Sequence, residues 1–519
     1  MTSDIQAPKP VGAADKIKKL DEIAVAAEAA RAAGKTVVMA HGVFDLLHMG
    51  HVRHLDEARS FGDVLIVTIT PDRYVNKGPG RPVFGEMMRA EMLAALAAVD
   101  FVGINDAPTA EPALRTIKPS VYVKGPDYVD ASSDVTGKIN NERDAVEAGG
   151  GRIQFTDDVT FSSSALINRY FSPFEPHIRD FVDAMREDNQ QQPMLELLER
   201  VSDLKVLVVG DAIIDEYHYV SPMGRAPKEN LVATLYQNSE VFAGGVFATA
   251  NHVSGICDHV EVLTVFGDED DYESLARSRA KPNVTINSFT RNGAPTTRKT
   301  RYVDPNSTRK LFETYYINDT PVSEKTQKKL NDWLEERCAE FDVVIVNDFG
   351  HGMITASTVE TLSRTAKFMA VNTQANSANF GFNLISKYPR ADLICIDALE
   401  ARLATGEKYN SVEHLVRSRM IPVRPNTNIV VTQGRDGCLA CSRDGQLIQV
   451  PALADKVVDT IGAGDAYLAI ASPLVAAGGD MRQVAFLGNI AGALKVGIVG
   501  HRQSVDKVSM IKAVVAMLK

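Results

Sequence analysis

The sequence has little of several features that mark particular classes of protein. Only five of its 519 residues are cysteine, which excludes a fold built on disulfide bonds. No apolar run approaches the ~18–20 residues that a membrane span needs, and the N-terminal segment lacks the apolar core of a secretory signal. Because 56 lysines and arginines face 66 acidic residues, a general nucleic-acid binder is also disfavoured. We therefore expect a cytosolic protein without a membrane or nucleic-acid partner.

The composition is that of an ordinary folded protein. Apolar residues make up 45% of the chain and charged residues 24%. The length predicts about three domains, or two large ones. Buried-strand patterns alternate with helical patterns from Lys35 onwards and again from Lys205 to the end. Alternation of this kind with short connections predicts α/β domains with parallel sheets.

The alternation breaks down around residues 171–200. Prolines and a polar DNQQQ run interrupt amphipathic stretches there. We interpret residues 171–200 as a helical linker between an N-terminal domain at 1–170 and a C-terminal domain at 201–519. Cys438 and Cys441 form a CxxC, but no second ligand pair for zinc accompanies it and no helix follows it, so we predict a strand of a hairpin.

The first candidate site is the HMGH run at residues 48–51, which follows a predicted strand and opens a predicted helix. Free N–H groups and the positive end of the dipole make a helix start a natural seat for phosphate. His48 and His51 share one face of the first turn and could donate hydrogen bonds to a phosphate on which charge develops. Gly50 lets a nucleotide approach the backbone closely. Metal ligation by the two histidines would require a third ligand nearby.

The run HGVFDLLHMGHVRHLDEAR resembles the signature of cytidylyltransferase-like nucleotidyltransferases, and the resemblance continues in order to about residue 170. It implies a Rossmann-like domain in which His48 and His51 stabilise charge on the α-phosphate of a nucleoside triphosphate. The resemblance leaves ATP and CTP open as the nucleotidyl donor. The nucleotide- and phosphate-binding residues that it implies are Phe44, Gly50, Lys77, Arg81, Lys124, Ser162, Ser163 and Ser164.

The second candidate site is the run DTIGAGDAY, which is rich in glycine and opens a predicted helix. Gly462 and Gly464 allow backbone N–H groups to converge on an anion. Asp465 then stands at the start of the helix, where it could take a proton from a sugar hydroxyl or serve only as a helix cap. No Gly-Lys-Ser/Thr follows, so the run does not predict a P-loop.

This run resembles the signature of PfkB, or ribokinase-like, sugar kinases, and segments throughout residues 201–519 match the same fold. The resemblance implies that Asp465 is the catalytic base, that ATP is the phosphoryl donor and that Mg²⁺ accompanies it near Glu400. On the nucleotide side it implies Thr432, Gly434, Gly437, Gly462, Ala463 and Gly464. On the substrate side it implies Asp211, Asp215, Gly244, Gly245, Arg225, Lys299 and Arg301.

Finer features are similar to the heptose-phosphate kinases. Arg225, Lys299 and Arg301 lie in segments that match that subgroup, where positive charge could hold a substrate phosphate, although solvated strand charges fit equally well. Two positions depart from the subgroup, since Ala248 replaces an asparagine and His351 replaces a lysine. The polar segment at 372–383 fits either an ordered binding loop or a solvated one.

The two halves together resemble bifunctional heptose-phosphate kinase/heptose 1-phosphate adenylyltransferases, with the order of the domains reversed. This implies that the C-terminal domain makes a sugar 1-phosphate and that the N-terminal domain joins it to a nucleotide, releasing pyrophosphate. Two alternatives stay open. One is a cytidylyltransferase for a polyol or glycerol phosphate beside a kinase of other substrate, and the other is a kinase domain that only senses sugar or dimerises.

The segment from Tyr217 to Ala243 is too long for an ordinary βα connection and contains the strand-like stretch LVATLYQNSEVF. In the resembling kinases such an insertion forms a β lid over the sugar. An exposed strand pair that carries apolar side chains needs a partner. We therefore predict a homodimer through the lid, in which Leu231, Val232, Leu235 and Val241 are covered.

Overall fold

The computed structural model describes residues 12–75, 77–78, 81–125, 139–157, 174–454 and 457–519. The chain forms two compact units, one in the N-terminal part up to Pro173 and one over Phe174–Leu518. Within the described ranges, no helix combines the length and apolar character that a bilayer crossing requires.

The first unit is built on a five-stranded parallel sheet with strand order β3-β2-β1-β4-β5. Its elements are α1 (Ala13–Lys16), α2 (Leu20–Ala32), β1 (Val37–Gly42), α3 (Met49–Ser60), β2 (Val64–Ile69), α4 (Glu86–Ala94), β3 (Phe101–Ile104), α5 (Glu111–Ile117), β4 (Val121–Lys124), α6 (Ile139–Ala148) and β5 (Arg152–Phe155). The order reverses between β1 and β4, and in open α/β sheets ligands bind at the carboxyl ends of the strands at such a point.

Alternate residues of β1 face opposite sides of this sheet, as the pleat requires. Val38 and Ala40 pack in one apolar cluster with Leu55 of α3, whereas Val37 and Met39 pack in another with residues of α2 and α5. Helices therefore cover both faces, and the only parts of the central strands left for chemistry are their ends.

The second unit contains a nine-stranded sheet with strand order β10-β9-β6-β13-β14-β15-β16-β17-β18. Its strands are β6 (Lys205–Gly210), β9 (His259–Gly267), β10 (Val284–Arg291), β13 (Val343–Asp348), β14 (Met369–Thr373), β15 (Leu393–Asp397), β16 (Asn428–Thr432), β17 (Cys438–Cys441) and β18 (Leu447–Val450). The strands from β10 to β16 are parallel, and β17 and β18 add an antiparallel edge.

The helices of the second unit cover this sheet. They are α7 (Pro176–Glu187), α8 (Gln191–Arg200), α9 (Val246–Val253), α10 (Tyr272–Arg279), α11 (Glu324–Arg337), α12 (Ala356–Thr365), α13 (Ala398–Thr405), α14 (Val412–Leu415), α15 (Ala463–Ala476), α16 (Met481–Val496) and α17 (Lys507–Leu518). Helices α7 and α8 fall in the predicted linker, yet Val182, Met185 and Leu197 lie in the main apolar core of this unit. These helices therefore pack as part of the second unit.

A separate four-stranded sheet has the order β12-β11-β7-β8, with β7 (Ala212–Arg225), β8 (Val232–Gly245), β11 (Thr297–Val303) and β12 (Lys310–Tyr316). Strands β7 and β8 form a long antiparallel hairpin, and β7 pairs in parallel with β11. The small β element predicted from the long insertion is confirmed as this sheet, which is called the lid below, and its closing over a sugar stays a prediction. It enters α9 directly through Gly244 and Gly245.

The CxxC is a strand of a hairpin, as predicted. Cys438 lies opposite Val450 and Cys441 opposite Leu447 in the antiparallel pair of β17 and β18. Both thiols are buried and free. Burial raises the pKa of Cys438 to about 12, so its side chain behaves as a small apolar group.

Candidate functional sites

The HMGH run lies where β1 ends and α3 begins, at the point where the strand order of the first sheet reverses. His48 caps α3, because its Nδ1 accepts a hydrogen bond from the Gly50 N–H at 3.1 Å. The rings of His48 and His51 stack with centroids 4.0 Å apart, and the edge of Phe44 packs against His51 at 5.1 Å. The structure thus brings four of the predicted residues into one compact group.

Both histidines of this group favour the neutral form. Burial lowers the pKa of His51 to about 3, and the charges of His48 and Lys77 act in the same direction. Burial also lowers the pKa of His48, again with a contribution from Lys77. A neutral imidazole keeps one N–H donor, so each ring can donate to a phosphate oxygen, and the arriving anion would itself favour the protonated form.

Asp45 and Arg81 form a buried ion pair beside the HMGH run. The Arg81 Nη1 lies 3.0 Å from the Asp45 Oδ2, and Asp45 also accepts a hydrogen bond from the Val83 N–H at 2.6 Å. The Arg81 side chain is only 4% exposed. Its predicted contact with a nucleotide phosphate stays a prediction, and what the structure shows is that Arg81 ties its loop to Asp45.

Arg89 of α4 holds the loops around the HMGH run together through its hydrogen bonds, a role that the sequence did not reveal. It is fully buried in α4 and donates to the carbonyl oxygens of Val43, Thr70 and Phe84 and to the carboxylate of Asp72. A guanidinium with several donors in one plane suits this task. Arg89 therefore fixes the turn between β1 and the histidines.

Of the other residues predicted to bind nucleotide at the first site, the structure describes Lys124 but not the three serines. Lys124 lies at the carboxyl end of β4, next to β1, and its Nζ is 2.6 Å from the Glu142 Oε2. Ser162, Ser163 and Ser164 lie outside the described residues. Lys124 is thus placed at the reversal point of the sheet, and its contact with a nucleotide stays a prediction.

The DTIGAGDAY run forms the start of α15, with Gly462 as the cap in the left-handed region at φ +77° and Asp465 in the first turn. Asn347 at the end of β13 donates to the Asp465 Oδ1 at 3.3 Å and to the Thr249 Oγ1 at 2.7 Å. Burial raises the pKa of Asp465, opposed by His501 and by the hydrogen bond from Asn347. A carboxylate that holds a proton more tightly than usual suits a general base.

Asp215 forms the centre of a charged network at the root of the lid. It accepts hydrogen bonds from Arg301 and from the His501 Nε2, the latter at 3.2 Å. Although burial acts to raise it, these partners hold the pKa of Asp215 below its usual range. A Cβ on Gly244 would overlap the Asp215 carboxylate, so only glycine fits there. The predicted residues Asp215, Gly244 and Arg301 therefore meet in the structure.

Asp211 has a different environment from Asp215. Its carboxylate accepts hydrogen bonds from the N–H groups of Phe349 at 3.1 Å, His351 at 3.3 Å and Met353 at 3.3 Å. This geometry makes Asp211 an anchor of the loop after β13. Its predicted contact with substrate stays a prediction.

The three cationic residues predicted to bind substrate lie in different environments. The Lys299 ammonium is buried over the rings of Tyr315 and Phe349, at 5.3 and 5.6 Å, and no described residue accepts a hydrogen bond from it. Arg301 is already paired with Asp215 and with Glu313 at 3.2 Å. Arg225 is exposed at the far end of β7. Lys299 is therefore the best placed of the three to meet an anion.

The asparagine-rich segment at 372–383 has a structural role, and whether it also binds a ligand stays a prediction. The side-chain amides of Asn376 and Asn379 donate to the Phe349 carbonyl oxygen at 2.8 and 2.5 Å, and Asn383 donates to the Asp348 carbonyl oxygen at 2.8 Å. The segment is ordered, and it holds the loop that follows β13.

Glu400 lies in the capping box that starts α13. Its carboxylate accepts hydrogen bonds from the N–H groups of Ala375 at 2.9 Å and Asp397 at 2.8 Å. Burial, together with the charge of Asp397, raises its pKa to about 8. Among the described residues no group of three or more histidine, cysteine or acidic side chains could hold a metal ion by itself.

Two glycines predicted to bind nucleotide in the kinase domain adopt backbone conformations that favour glycine. Gly434 and Gly437 follow Thr432 at the end of β16 and both adopt positive φ, at +59° and +84°. A Cβ on Gly437 would overlap the Val450 carbonyl oxygen. These observations explain the residue type, and contact with a nucleotide stays a prediction.

His501 and Asn347 lie at the candidate kinase site, although sequence reasoning did not single them out. His501 contacts Asp215, and its Cε1 lies 2.7 Å from where a Cβ on Gly462 would be, so it connects the lid to the start of α15. A cavity of about 890 Å³ opens beside it, lined by Phe242, Ala248 and basic side chains of α10 and the following loop. Asn347 lies near the end of β13 and His501 in the loop after α16, and only the fold brings them to the site.

Two family models match this chain. The pfkB family carbohydrate kinase model matches residues 203–508, and the cytidylyltransferase-like model matches residues 39–169. The bifunctional protein HldE of Geotalea uraniireducens is 44% identical over 154 residues, which are 29% of this chain and 30% of that protein. The same-named protein of Pelobacter propionicus is 26% identical over 307 residues, 59% of this chain and 62% of that protein. Each alignment spans less than two thirds of the relative.

A solved ribokinase from Thermotoga maritima covers 60% of this chain and 99% of its own length at 19% identity, with a TM-score of 0.47. The pfkB model covers more than half of the chain. The chain therefore belongs to the pfkB family of carbohydrate kinases, and it carries a cytidylyltransferase-like domain ahead of the kinase domain. The predicted fold class is confirmed.

Proposed function

We propose, from the premise of a pfkB-family kinase joined to a cytidylyltransferase-like domain, that this chain is a bifunctional enzyme of nucleotide-sugar synthesis. The C-terminal domain at 201–519 phosphorylates a sugar, of the heptose-phosphate kind, at the expense of ATP. The N-terminal domain at 1–170 joins the resulting sugar 1-phosphate to a nucleotide and releases pyrophosphate. The observation that carries the proposal is the pair of helix starts, one bearing Asp465 and the other bearing His48 and His51.

In the kinase step Asp465 takes the proton of the sugar hydroxyl. The freed oxygen forms a bond to the γ-phosphorus of ATP as the bond to ADP breaks. Asn347 holds the Asp465 carboxylate in place, and the glycine-rich start of α15 offers N–H groups to the moving phosphoryl group. Lys299 adds a buried positive charge on the substrate side.

Mg²⁺ fits this site as an ion held mainly by the phosphates of ATP. Kinases often supply only one or two carboxylates to Mg²⁺, and the buried Glu400 is such a carboxylate, near enough to Asp465 for its pKa to respond to that charge. When bound, Mg²⁺ would offset the negative charge of the phosphates. Glu400 is therefore the residue that we assign to the neighbourhood of the ion.

In the transferase step an oxygen of the sugar 1-phosphate attacks the α-phosphorus of the nucleoside triphosphate. The bond to pyrophosphate breaks, and charge that develops on the α-phosphate oxygens is met by His48 and His51. Both imidazoles are neutral before the substrate arrives, so they donate hydrogen bonds without an initial charge. Phe44 packs against His51 and limits its rotation.

The lid supports a homodimer as the form in which the kinase works. Val232, Leu235 and Tyr236 on the lid are 66%, 58% and 56% exposed, which is a large apolar surface for a separate sheet. A two-fold contact between the lids of two chains would cover both copies at once. Val241, predicted to take part, is only partly exposed near the root of the lid.

Mass spectrometry of products tests the proposal. The full chain is incubated with a panel of sugar phosphates and with ATP or CTP, and products are followed over time. A sugar that first gains one phosphoryl group and then a nucleotidyl group, with pyrophosphate release, is the expected result. A nucleotidylated product from a polyol phosphate only, or no phosphoryl transfer to any sugar, would contradict it.

A further inference from the structure

Lys495 is a buried cation that neither proposed reaction uses. It lies in the last turn of α16 and is fully buried. Its Nζ donates a hydrogen bond to the carbonyl oxygen of Ile461 at 2.7 Å. Taking an ammonium out of water is costly unless opposite charges and hydrogen bonds compensate. The cost of burying the Lys495 ammonium must therefore be offset by nearby groups, and a functional role would explain why a lysine is present there.

The compensation comes from acids of the kinase site. The carboxylates of Asp459, Asp465 and Asp215 all act to keep Lys495 charged, against burial, which lowers its pKa. Asp459 accepts hydrogen bonds from the Tyr217 hydroxyl at 2.7 Å and the Gly500 N–H at 2.8 Å, and it pairs with the Lys310 ammonium at 2.6 Å. Three carboxylates of the kinase site thus act on the charge of Lys495, and two of them, Asp459 and Asp215, also have a cation of their own in Lys310 and Arg301.

Lys495 also ties down the loop that leads into that helix. The Val496 carbonyl oxygen accepts hydrogen bonds from the N–H groups of Val458 at 2.8 Å and Asp459 at 3.0 Å. Lys495 adds a third link from the same end of α16, to Ile461. Its Cε lies 3.2 Å from where a Cβ on Gly462 would be, so the lysine stem fills the space directly beneath the glycine.

The link to Ile461 sets the direction of a neighbouring N–H group. In a planar trans peptide the C=O and the N–H point in opposite directions. Because the Ile461 carbonyl faces Lys495, the Gly462 N–H points away from it. The N–H groups of Gly462, Gly464 and Asp465 have no hydrogen-bond acceptor among the described residues, so they are available to an anion.

We propose that Lys495 is the built-in cation of the phosphoryl-transfer site, a positioning residue whose ammonium fixes the Ile461–Gly462 peptide and balances the surrounding carboxylates. The inference rests on the proposed kinase function and goes beyond it. The site then has its positive charge as part of the chain and needs no small cation from solution at this place. Removal of the ammonium with the side-chain volume kept should lower the kinase kcat and leave substrate binding nearly unchanged.

Two substitutions in the full chain separate charge from packing. Lys495→Met keeps most of the volume and loses the charge, and Lys495→Ala leaves a space beside the Ile461 carbonyl oxygen. We expect kinase kcat to fall about 10–100-fold in both, with KM for sugar and ATP changed less than about threefold. Methylammonium or ammonium should restore kcat at least about fivefold in Lys495→Ala but not in Lys495→Met, where the thioether occupies the space.

Controls keep this test separate from the proposed function. Lys507→Ala, which removes a lysine that pairs with Glu199 on the surface of the same unit, should change neither kcat nor the response to amines. Nucleotidyl transfer to a supplied sugar 1-phosphate should be unaffected by either Lys495 variant. Wild-type turnover that fails altogether contradicts the kinase function itself, whereas full turnover in Lys495→Met contradicts only the role of Lys495.

The remaining outcomes also decide the matter. A folded Lys495→Ala protein with low kcat and no response to amines would overturn the proposal in favour of a packing role. If Lys495→Ala does not fold, the wild-type protein gives a second measurement. Its kinase rate should be the same in sodium, potassium and tetramethylammonium salts, and a requirement for potassium would overturn the inference.

Discussion

The two candidate sites of this chain both lie at a helix start, but they differ in the residue that caps the helix and in the side chains of its first turn. In the first unit α3 follows His48, whose backbone is extended, and carries His51, whereas in the second unit α15 follows Gly462, which lies in the left-handed region, and carries Asp465. Burial lowers the pKa of His51 to about 3 and raises the pKa of Asp465. The same physical cause thus leaves the histidine as a neutral donor and makes the aspartate a stronger base.

The cations near the two helix starts differ as well. Lys124 in the first unit is paired with Glu142, while Lys495 in the second unit has its hydrogen bond on a loop carbonyl among several carboxylates. A pair of opposite charges nearly cancels at a distance, whereas a cation within an acidic cluster organises it. We infer that the charge balance of the first site changes when its substrates bind, whereas in the second site Lys495 already offsets the charge of the carboxylates before substrates bind.

The largest effect that would test this comparison is expected at Asp465. Asp465→Asn keeps the shape and the contact with Asn347 but cannot take a proton, so sugar phosphorylation should fall about 10²–10⁴-fold while ATP and sugar still bind. The measurement is phosphoryl transfer, with nucleotidyl transfer to added sugar 1-phosphate assayed on the same preparation. Asp203→Asn, an exposed change in the same unit, is the matched control. Unchanged kinase turnover in Asp465→Asn would remove the base assignment.

The second effect is expected at His51. His51→Ala removes one donor to the developing charge, so pyrophosphate release from nucleoside triphosphate and sugar 1-phosphate should fall about 10²–10³-fold. Kinase turnover should stay at the wild-type level, which makes this variant and Asp465→Asn controls for each other. A loss confined to the kinase step would mean that the roles of the two units are reversed.

The sequence predicts much of this comparison, because both sites begin in local motifs. HMGH and GAGD each open a helix, HMGH soon after the end of β1 and GAGD after the loop that follows β18, so short-range chemistry identifies them. The β lid also follows from a connection too long for a simple crossover. The helical linker predicted at residues 171–200 stays a prediction, and what the sequence did not show is that the amphipathic faces of α7 and α8 find a core in the folded second unit.

The long-range members of the sites could not be predicted. Asn347 and His501 reach Asp465 and Asp215 from strands and loops more than a hundred residues away. The sequence leaves a binding loop and a solvated loop equally open at 372–383, yet the asparagine amides there hold the carbonyl groups of a neighbouring loop. Arg301 reads as a phosphate ligand, yet Asp215 pairs with it. In each case the partner is set by topology and not by sequence spacing.

A third prediction concerns acid stability, where both units bury neutral histidines. Burial places the pKa of His252 well below 6.5, so the unfolded chain binds a proton below that pH and the folded unit does not. The free energy of unfolding should fall as pH drops from 7 to 5, by about 2 kcal/mol for this histidine. The only tryptophan, Trp333, lies in α11, so its fluorescence reports the second unit alone.

The matched variant for this prediction is His252→Asn. The His252 Nδ1 accepts a hydrogen bond from the Val505 N–H at 2.9 Å, and an asparagine oxygen can accept in its place without titrating. The variant's loss of stability between pH 7 and 5 should be smaller by about 2 kcal/mol, whatever its stability at pH 7. Equal pH dependence in the two proteins would show that His252 is protonated in the folded state.

The smallest expected effect, a twofold change in mass, compares the exposed apolar surfaces of the two units. The lid carries the exposed side chains of Val232, Leu235 and Tyr236 within five residues of β8, whereas Val25 on α2 of the first unit is a single exposed valine, at 72%. Clustered apolar side chains on a sheet need a cover, and single ones do not. Leu235→Glu should therefore halve the mass seen by light scattering at micromolar concentration, because a buried charge at a two-fold contact appears twice. Val25→Glu should leave the mass unchanged. A wild-type chain that is monomeric with full kinase activity would show that the lid closes over the sugar without a second copy.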